Sequence, residues 1–377
     1  MGFSAALLVL WYSFACHGNL YTMNFSEARK PTRQVKVGRV AIGGGAPVVV
    51  QSMTNTKTHM VDETVAQIRA LRAAGCEIVR VSVPDPASAA AIPAIKAAID
   101  IPLVADIHFQ ADLAVAAIKA GADKVRINPG NIGGRDETAK VVEAAAKASV
   151  PIRIGVNSGS LSKEIRATDA PPAEKLARSA IENIELIEGL GFNDIVVSVK
   201  SSSVTETVEA YRLLSEETDH PLHLGVTESG TLESGAIKSA IGIGILLAEG
   251  IGDTIRVSLT SDPVHEIETA RQILQALDIR RFSPEIISCP TCARCEVELI
   301  PIAEQLEKHL KSSTKIVKVA VMGCVVNGPG EAADADIGLA AGKGKGVIFS
   351  HGRAVKTVTE SEFLSEMLRS IDEFEDE

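Results

Sequence analysis

Four cysteines in the last quarter of the chain have the spacing of a metal or cluster site. Cys289, Cys292 and Cys295 form a C-x2-C-x2-C pattern, and Cys324 follows 29 residues later in the segment GCVVNGPGE. Spacing alone favours an iron–sulfur cluster held by four cysteines. Structural zinc is the alternative, although a zinc ribbon needs a second C-x2-C pair where this chain has a single cysteine. Either site indicates a reducing compartment, the cytoplasm, rather than a disulfide framework.

Cationic side chains recur at one parity along several short apolar runs. In one run, Val79, Val81 and Val83 share one face, and Arg80 and Ser82 share the other. The same alternation puts on the polar face Arg126, Arg153, Asn157, Lys200, Arg256 and Ser258, together with Asp106 and His108. In a closed barrel the apolar face meets the helices, so these polar side chains are predicted to point inward.

Four arginines and one lysine inside a barrel need a partner, because a buried charge loses its hydration. A multiply anionic ligand would supply that partner, and the guanidinium fork suits phosphate oxygens. One alternative is that some of these cations lie at the bottom of the barrel in ion pairs with loop acids. Another is that Lys200 acts alone as a Schiff-base lysine, as in barrel aldolases.

A carboxylate stands at the end of the seventh predicted strand. Glu228 lies in the segment GVTESG, and catalytic groups of such barrels cluster at the carboxyl ends of the strands. Among so many cations, Glu228 is predicted to be either a structural counter-ion or an acid/base group.

The elements that must position these residues alternate between β-rich runs and Ala-rich helical stretches. Eight runs occur between residues 46 and 260, around Gln51, Arg80, Asp106, Arg126, Arg153, Lys200, Gly225 and Arg256. This pattern predicts an α/β protein with a (β/α)8 TIM-type barrel, a fold of about 250 residues. A doubly wound sheet is the alternative, but eight evenly spaced parallel strands favour closure.

The barrel is predicted to occupy residues 23–280, and a small α+β cluster domain residues 281–377. The second unit contains a helix through 304–310, the strands IVKVAVM, DIGLA and GVIFS, the loop GCVVNGPGE, the turn GKGKG and a final helix. Residues 1–22 contain an apolar stretch without the preceding positive charge of a signal peptide. We therefore interpret them as an upstream extension, with Met23 as the start.

Composition excludes two classes of partner. The 377 residues carry 38 Lys and Arg against 48 Asp and Glu, a net charge of −10, and only 3% are aromatic. A nucleic-acid binder needs a cationic surface or stacking platforms, and this chain predicts neither. No apolar run reaches the ~18–20 residues that span a bilayer, so no membrane partner is expected.

Six segments resemble a known enzyme family. They are QSMTNT at 51–56, RINPGNIG at 126–133, RIGVNSGSL at 153–161, LGVTESG at 224–230, SCPTCAR at 288–294 and MGCVVNGPGEA at 322–332. The chain from about residue 30 to 370 is similar to the 4-hydroxy-3-methylbut-2-enyl diphosphate synthases, iron–sulfur enzymes of the methylerythritol phosphate route to isoprenoids.

The resemblance implies a [4Fe–4S] cluster held by Cys289, Cys292, Cys324 and Glu331. It therefore replaces Cys295, which spacing alone selects, with a carboxylate. A carboxylate is a harder and more exchangeable ligand than a thiolate, and Glu331 could free one iron for a substrate oxygen.

The implied substrate is 2-C-methyl-D-erythritol 2,4-cyclodiphosphate, which two electrons delivered singly convert to 4-hydroxy-3-methylbut-2-enyl diphosphate. Glu228 would manage protons, and reduced flavodoxin or ferredoxin would supply the electrons. Family members of this length are homodimers in which the cluster domain of one chain caps the barrel of the other. The diphosphate would be held by Arg80, Arg126, Arg153, Lys200 and Arg256, with Asn157 and Ser258.

Two rival functions leave part of the chain unexplained. An iron–sulfur electron carrier or scaffold has no use for a cationic barrel interior, and a lysine-dependent aldolase using Lys200 has no use for the cysteines. Local charge also predicts a docking site for an acidic electron donor, because residues 342–356 contain four cations and no acid. These cations are Lys343, Lys345, Arg353 and Lys356.

Overall fold

A computed structural model of the chain describes residues 29–313 and 315–375. The interpretation of residues 1–22 lies outside these ranges. Among the described residues, no helix combines the length and the apolar character needed to cross a lipid bilayer.

The first part of the chain forms a two-stranded hairpin followed by alternating strands and helices. The strands are β1 (Val35–Val37), β2 (Val40–Ile42), β3 (Val49–Met53), β4 (Ile78–Ser82), β5 (Leu103–Asp106), β6 (Lys124–Ile127), β7 (Ile152–Asn157), β8 (Ile195–Lys200), β9 (His223–Leu224) and β10 (Thr254–Ile255). The helices are α1 (Val61–Ala73), α2 (Pro86–Ala98), α3 (Ala111–Lys119), α4 (Gly134–Ala148), α5 (Lys163–Arg166), α6 (Pro172–Glu188), α7 (Val204–Glu217), α8 (Leu232–Ala248) and α9 (Pro263–Ala276).

Strands β3 to β10 form a closed parallel barrel. The hydrogen-bonded order is β8-β7-β6-β5-β4-β3-β10-β9, and a parallel bridge between Val197 and Leu222 joins β8 to β9. The apolar parity of each strand packs against the surrounding helices in one continuous core. The predicted (β/α)8 barrel, with the apolar face outward, is therefore confirmed.

The hairpin β1–β2, which the sequence did not predict, closes the bottom of the barrel. Its strands are antiparallel, and their buried side chains pack on inward residues at the amino ends of β3, β4 and β5. The cluster comprises Val37, Ile42, Val49, Ile78 and Val104. Among the described residues, this leaves the carboxyl ends of the strands as the entrance for a ligand.

The segment after α9 is fixed to the same closed end. Arg280 donates to the carbonyl of Val48 at 2.7 Å and to both carboxylate oxygens of Glu77 at 2.9 and 3.1 Å. The ring of Phe282 lies between the guanidinium groups of Arg271 and Arg280, 4.7 and 4.6 Å from its centroid. Because Val48 and Glu77 precede β3 and β4, the C-terminal domain begins at the end of the barrel opposite its entrance.

The C-terminal domain has a mixed five-stranded sheet with helices packed on it. The strands are β11 (Glu285–Ser288), β12 (Lys318–Met322), β13 (Ile337–Gly342), β14 (Lys345–Ser350) and β15 (Arg353–Thr359), in that spatial order. The helices are α10 (Leu299–Leu310), α11 (Gly328–Ala333) and α12 (Phe363–Glu373). Strands β11, β12 and β13 are parallel, whereas β14 and β15 are antiparallel to their neighbours.

Two details of this domain differ from the sequence prediction. The segment predicted as the loop GCVVNGPGE contains α11. The first residues of this helix include a proline, which is tolerated in the first turn of a helix. Strand β15 was not predicted. A turn through His351 and Gly352, both with positive φ, reverses the chain into it.

Candidate active site

The inward face of the barrel carries a set of buried cations. Arg153 is 1% exposed, Arg80 and Lys200 are each 8% exposed, and Lys124 is fully buried. Arg126 and Arg256 are half-buried and lie at the same parity on β6 and just after β10. All five cations predicted from the sequence therefore lie inside the barrel, and Lys124 adds a sixth.

Asp106 is the central counter-ion of this group. Its carboxylate accepts a hydrogen bond from Arg126 at 3.2 Å and lies 3.7 Å from Arg80 Nε and from His108 Nε2. Burial opposes the charged form of Asp106, but the fields of Arg80 and Arg126 outweigh it and lower its pKa to about 2. Asp106 is thus ionised at any physiological pH.

Two glycines leave the space that these long side chains occupy. A Cβ at Gly155 would collide with the Arg126 guanidinium, which also donates to the Gly155 carbonyl at 3.1 Å. A Cβ at Gly225 would collide with the ammonium group of Lys200. Glycine at these two positions therefore leaves room for the long cationic side chains of the neighbouring strands.

A second carboxylate enters from a helix. Glu266, in the first turn of α9, is 3% exposed and accepts from Arg256 Nη2 at 3.2 Å. It also accepts from Ser52 Oγ and from the backbone amide of Leu259. Glu266 thus fixes Arg256 at the seam between β10 and β3, where the strand ladder is short.

The cations outnumber the carboxylates that contact them. There are six inward cations. Within the described residues, two acids, Asp106 and Glu266, hydrogen-bond to members of this group. Several buried polar atoms have no hydrogen-bond partner within the described residues. They are Arg126 Nε, Arg153 Nε and Nη1, Arg256 Nε, Lys124 Nζ, Asn128 Nδ2, His223 Nε2 and both side-chain polar atoms of Gln51. Unmatched cationic donors that face the barrel interior are what a bound polyanion would satisfy.

Burial also sets the protonation of the lysines. Burial first, and then the positive charge of Arg153, lowers the pKa values of Lys124 and Lys200 well below that of a free lysine. Burial likewise lowers the pKa of Arg80 to about 10. The guanidinium groups remain charged at neutral pH, because arginine does not lose its proton in proteins. The lysines are therefore the cations whose charge can respond to a ligand.

The remaining predicted residues lie at the entrance. Asn157 and Ser258 are half-buried at the carboxyl ends of β7 and β10. Glu228 follows β9 in a left-handed backbone conformation with φ of 52° and is exposed. A non-glycine residue in this conformation is uncommon and is often found at functional sites. Glu228 therefore lies, exposed, in the loop after β9 at the carboxyl end of the barrel.

Sequence reasoning did not select four polar residues of the interior as site residues, although the alternation places His223 on the inward face. Lys124 has the parity of Arg126 and was therefore detectable by the rule that found the arginines. Gln51 and His223 also follow that rule, and His223 is fully buried with Nδ1 2.7 Å from Thr254 Oγ1. Glu266 had no such signal, because an acid in the first turn of a helix is ordinarily solvated.

The cysteines gather at one edge of the C-terminal sheet. Cys289 and Cys292 follow β11, and Cys324 follows β12, the parallel neighbour of β11. The amide of Cys289 donates to the carbonyl of Val321 at 3.1 Å, and the amide of Gly323 donates to Cys289 Sγ at 3.4 Å. The loops that carry these thiols are therefore adjacent.

Backbone amides favour thiolates at this edge. Hydrogen bonds from the amides of Asn327 and Val326 lower the pKa of Cys324, and contacts with Arg294 lower the pKa of Cys292. Glu331 lies on α11 directly after this amide-rich turn, and its helix packs on β12 and β13. The three predicted cysteine ligands thus lie on adjacent loops, and Glu331 lies exposed on the short helix that follows Cys324.

Cys295 lies beside the predicted ligands. A Cβ at Gly323 would collide with Cys295 Sγ and would lie 3.5 Å from Cys289 Sγ. The Cys295 thiol itself donates to the carbonyl of Val297 at 3.2 Å. A side chain at position 323 would therefore have to displace the Cys295 thiol from its backbone acceptor.

The donor set fits an iron–sulfur cluster in chemistry. Over residues 29–313 and 315–375, no three histidine, cysteine or carboxylate side chains stand close enough to bind a single metal ion. A cluster of several irons needs its thiols further apart than one ion does. Three thiols on adjacent loops, with amide donors directed at two of the sulfurs, are the environment in which such clusters are held.

A cleft between the two parts of the chain carries none of this chemistry. It is lined by the ends of α1, α9 and α10, with Arg271, Gln275, Ile286 and Leu310 on its walls. None of the inward cations or cysteine thiols borders it. The cationic barrel mouth remains the candidate site.

The fold and the two sites together describe a (β/α)8-barrel protein with a buried cationic interior, joined to a small domain that groups cysteine thiols. Residues 32–271 match the GcpE TIM-barrel domain, and residues 285–373 match the GcpE protein C-terminal domain. This chain belongs to the GcpE family.

Relatives with curated names cover almost the whole chain. A protein of Caldanaerobacter subterraneus subsp. tengcongensis is 56% identical over 347 residues, which are 92% of this chain and 98% of that protein. A protein of Clostridium perfringens is 54% identical over 345 residues, 91% of this chain and 99% of the relative. Both are named 4-hydroxy-3-methylbut-2-en-1-yl diphosphate synthase (flavodoxin).

One solved structure supports the barrel alone. Dihydropteroate synthase from Stenotrophomonas maltophilia superposes with a TM-score of 0.50 at 15% sequence identity, covering 66% of this chain and 98% of that chain. At this identity the similarity concerns the fold and carries no implication for function.

Proposed function

We propose that this chain is an oxidoreductase that converts 2-C-methyl-D-erythritol 2,4-cyclodiphosphate to 4-hydroxy-3-methylbut-2-en-1-yl diphosphate in isoprenoid biosynthesis. The surplus of buried, unpartnered cationic donors in the barrel carries this proposal, because the substrate is a cyclic diphosphate. The family membership favours this function over a Lys200-dependent aldolase or an electron carrier.

The diphosphate would lie among the inward cations, with its oxygens facing the unpartnered donors of Arg126 and Arg153. Lys200, on β8 beside β7, and Arg256, just after β10, would complete the site, with Asn157 and Ser258 at the rim. Arg126, Arg153 and Lys200 stand on strands rather than loops, so they are already in place before the ligand binds.

Cys289, Cys292, Cys324 and Glu331 would hold a [4Fe–4S] cluster. When bound, such a cluster supplies electrons one at a time. Two electrons are needed, because one ring carbon–oxygen bond is broken, one hydroxyl group leaves as water and a carbon–carbon double bond forms.

Glu228 is the group best placed to transfer the proton that the departing hydroxyl requires. It stands at the barrel entrance, where the carbon skeleton would project from the buried diphosphate. Its exposed position leaves it able to exchange protons with solvent, unlike the buried Asp106.

The electron donor is proposed to be reduced flavodoxin, as the names of the relatives indicate for those proteins, or ferredoxin. The hairpin between β13 and β14 exposes Lys343 and Lys345 for an acidic partner. Lys356 contributes less than the sequence predicted, because it pairs with Glu366 at 2.7 Å. A donor of this kind and an iron–sulfur centre both fit the reducing cytoplasm.

The position of the linker supports a homodimer with shared sites. The C-terminal domain is tethered by Arg280 to the closed end of its own barrel, whereas the cationic entrance is at the other end. Strands of five to six residues separate the two ends by roughly 17–20 Å. A cluster domain supplied by a second copy of the chain could cover the entrance without having to reach from one end of its own barrel to the other.

Helix α8 offers a surface for that second copy. Ile237, Ile241 and Ile245 lie one helical turn apart and are 57%, 49% and 37% exposed. An apolar stripe of this kind on a barrel helix is typical of a subunit contact. The proposed barrel domain, residues 23–280 of one chain, would then be capped by the proposed cluster domain, residues 281–377 of the partner chain.

Mixing two inactive variants tests the shared site. Arg153→Ala removes the barrel half and Cys324→Ser the cluster half, so a mixed dimer would regain one complete site. Restored turnover after mixing and subunit exchange is expected. Absence of restoration, with exchange verified by mass spectrometry, would assign each site to a single chain.

The function itself is tested with the anaerobically prepared full-length protein. Reduced flavodoxin and the cyclic diphosphate should yield 4-hydroxy-3-methylbut-2-en-1-yl diphosphate, detected by mass spectrometry, together with a visible absorption band of an iron–sulfur cluster. Protein that contains the cluster but binds the cyclic diphosphate no better than it binds methylerythritol would contradict the proposal.

A further inference from the structure

Lys124 is a buried lysine that the proposed reaction does not use. It opens β6, is fully buried, and its Nζ has no hydrogen-bond partner within the described residues. Arg126 and Asn128 stand above it on the same face of the chain. Lys124 therefore forms the lowest polar layer on this strand, beneath the residues that we assign to the diphosphate.

Two cations lie near Lys124 along the hydrogen-bonded rows of the barrel. Its partner on β5 is Val104, which in turn pairs with Arg80 on β4, so Arg80 lies two strands away on the same row. On the other side, Arg153 on β7 pairs with Arg126. The fields of Arg153 and Arg80 both act on the Lys124 ammonium group.

The remaining inward groups offer little compensation. Asp106 is committed to Arg126 and Arg80, and Glu266 to Arg256. His223 on β9 is held neutral by burial and by the charge of Arg153, which lower its pKa well below that of a free histidine. Val104 and the floor cluster with the hairpin are apolar. An ammonium ion at this depth faces more positive than negative charge.

We propose that Lys124 is a responsive counter-ion, uncharged in the empty barrel and protonated when a diphosphate occupies the layer above it, so that substrate binding takes up a proton. The site rests on the proposed function, because the ligand is the diphosphate assigned there. Lys124 contributes charge from below and needs no direct contact with the reacting carbons, so it is a positioning residue.

The sign follows from linkage. Burial and the charge of Arg153 lower the pKa of Lys124 in the empty protein, and an anion nearby raises it again. Between these two pKa values the complex holds one more proton than the empty protein. Affinity for the diphosphate therefore increases as the pH falls through this range, and the dependence disappears below the lower pKa, where Lys124 is charged in both states.

Lys200 must be separated from Lys124, because burial lowers its pKa as well. Lys200 is 8% exposed beside Gly225, whereas Lys124 is fully enclosed at the base. Each lysine could take up its own proton. The contribution of Lys124 is therefore the decrease in proton uptake on ligand binding when Lys124 is replaced and Lys200 is intact.

Calorimetry of the cluster-loaded full-length protein measures this difference. The cyclic diphosphate, and inorganic pyrophosphate as a second probe, are titrated at one pH in two buffers with different ionisation enthalpies. Lys124→Met should take up about one proton fewer per chain than the wild type, since one titrating group is lost. Lys124→Arg, which stays charged, should show the same loss while still binding. Lys119→Met, which removes an exposed lysine from α3, should match the wild type.

Three results would overturn the inference. They are binding by the wild type without proton uptake, equal uptake by Lys124→Met, or wild-type uptake by Lys124→Arg. If Lys124→Met does not fold, the arginine variant decides. If the cyclic diphosphate does not bind the wild type while pyrophosphate binds with Lys124-dependent uptake, the proposed substrate is wrong and the role of Lys124 stands.

Discussion

The barrel interior and the cysteine edge hold their functional groups in opposite ways. In the barrel, the cationic side chains are fixed on strands, enclosed by helices and close to other positive charges. At the cysteine edge, the thiols stand on loops after β11 and β12, and Cys292 is exposed. The barrel site is formed without its ligand, whereas the cysteine edge supplies donors that a cluster would draw together.

This difference separates two kinds of cost. Arg153 and Lys124 are buried without hydrogen-bond partners for several of their donors, so the empty barrel is less stable than an apolar one would be. The thiols cost little in the empty protein, because they are near water or near backbone donors. We therefore expect substitutions in the barrel to trade affinity against stability, and substitutions at the cysteine edge to affect the cluster alone.

The largest effect is expected at the cysteine edge. Cys289→Ser, or Cys324→Ser, should abolish the iron–sulfur absorption and reduce turnover to background, because a hydroxyl is a poor ligand for iron in such clusters. Iron content and the visible spectrum of anaerobic protein measure this. The unfolding midpoint of the empty barrel should not move.

Cys295→Ser is the matched control, since its thiol already donates to Val297. It should retain the cluster, while Glu331→Ala should lose it or make it labile. The opposite pattern would make Cys295 the fourth ligand, as the C-x2-C-x2-C spacing suggests.

The next effect should fall on substrate affinity. Arg153→Met removes a buried donor to the diphosphate and should weaken binding by about 2–5 kcal/mol, a factor of about 30 or more. The same variant should unfold at an equal or higher temperature when empty, because an unpaired buried charge is gone. Titration calorimetry and thermal unfolding give the two numbers.

Arg178→Met provides the control for Arg153. Arg178 is exposed on α6 and pairs with Glu182 at 3.2 Å, and such surface pairs contribute at most about 1 kcal/mol. Unchanged affinity is expected. An Arg153 variant that binds normally but is strongly destabilised would show that the guanidinium supports the fold instead.

An effect of comparable size, on turnover rather than on affinity, is expected for Glu228→Gln. The amide keeps the size of the side chain and removes its proton transfer, so kcat should fall by about 10²–10⁴-fold with little change in the dissociation constant. Parallel losses of affinity and turnover would instead make Glu228 a counter-ion at the barrel mouth.

The sequence was sufficient for features that repeat along the chain. The alternation of Val79, Arg80 and Val81, repeated on other strands, predicted both the barrel and its polar interior. The same rule also covered Lys124. Short elements without repetition were missed: β1 and β2 contain three residues each, too few for a reliable period.

Contacts between distant segments required the structure. Glu266 meets Arg256 only because α9 starts beside the end of β10, and Gly323 lies against Cys295 only because the loops after β11 and β12 pack together. Strand β15 was hidden because its side chains are mostly exposed and carry no apolar alternation. Each of these features depends on packing between elements rather than on the pattern within one.

The smallest effect should appear at the donor-docking surface, and it sharpens the contrast between the enclosed barrel and the open cluster domain. Lys343→Glu with Lys345→Glu reverses two exposed charges on the β13–β14 hairpin, where an acidic flavodoxin would be attracted. Turnover with flavodoxin should slow several-fold and lose part of its salt dependence, because steering by exposed charges is screened by ions. Turnover with a small chemical reductant should not change.

Lys308→Glu is the matched control, since Lys308 is exposed on α10, which packs beside β11 at the other edge of the sheet. Equal losses with both reductants would mean that the hairpin lysines support the fold or the active site, and docking would then have to occur elsewhere on this domain.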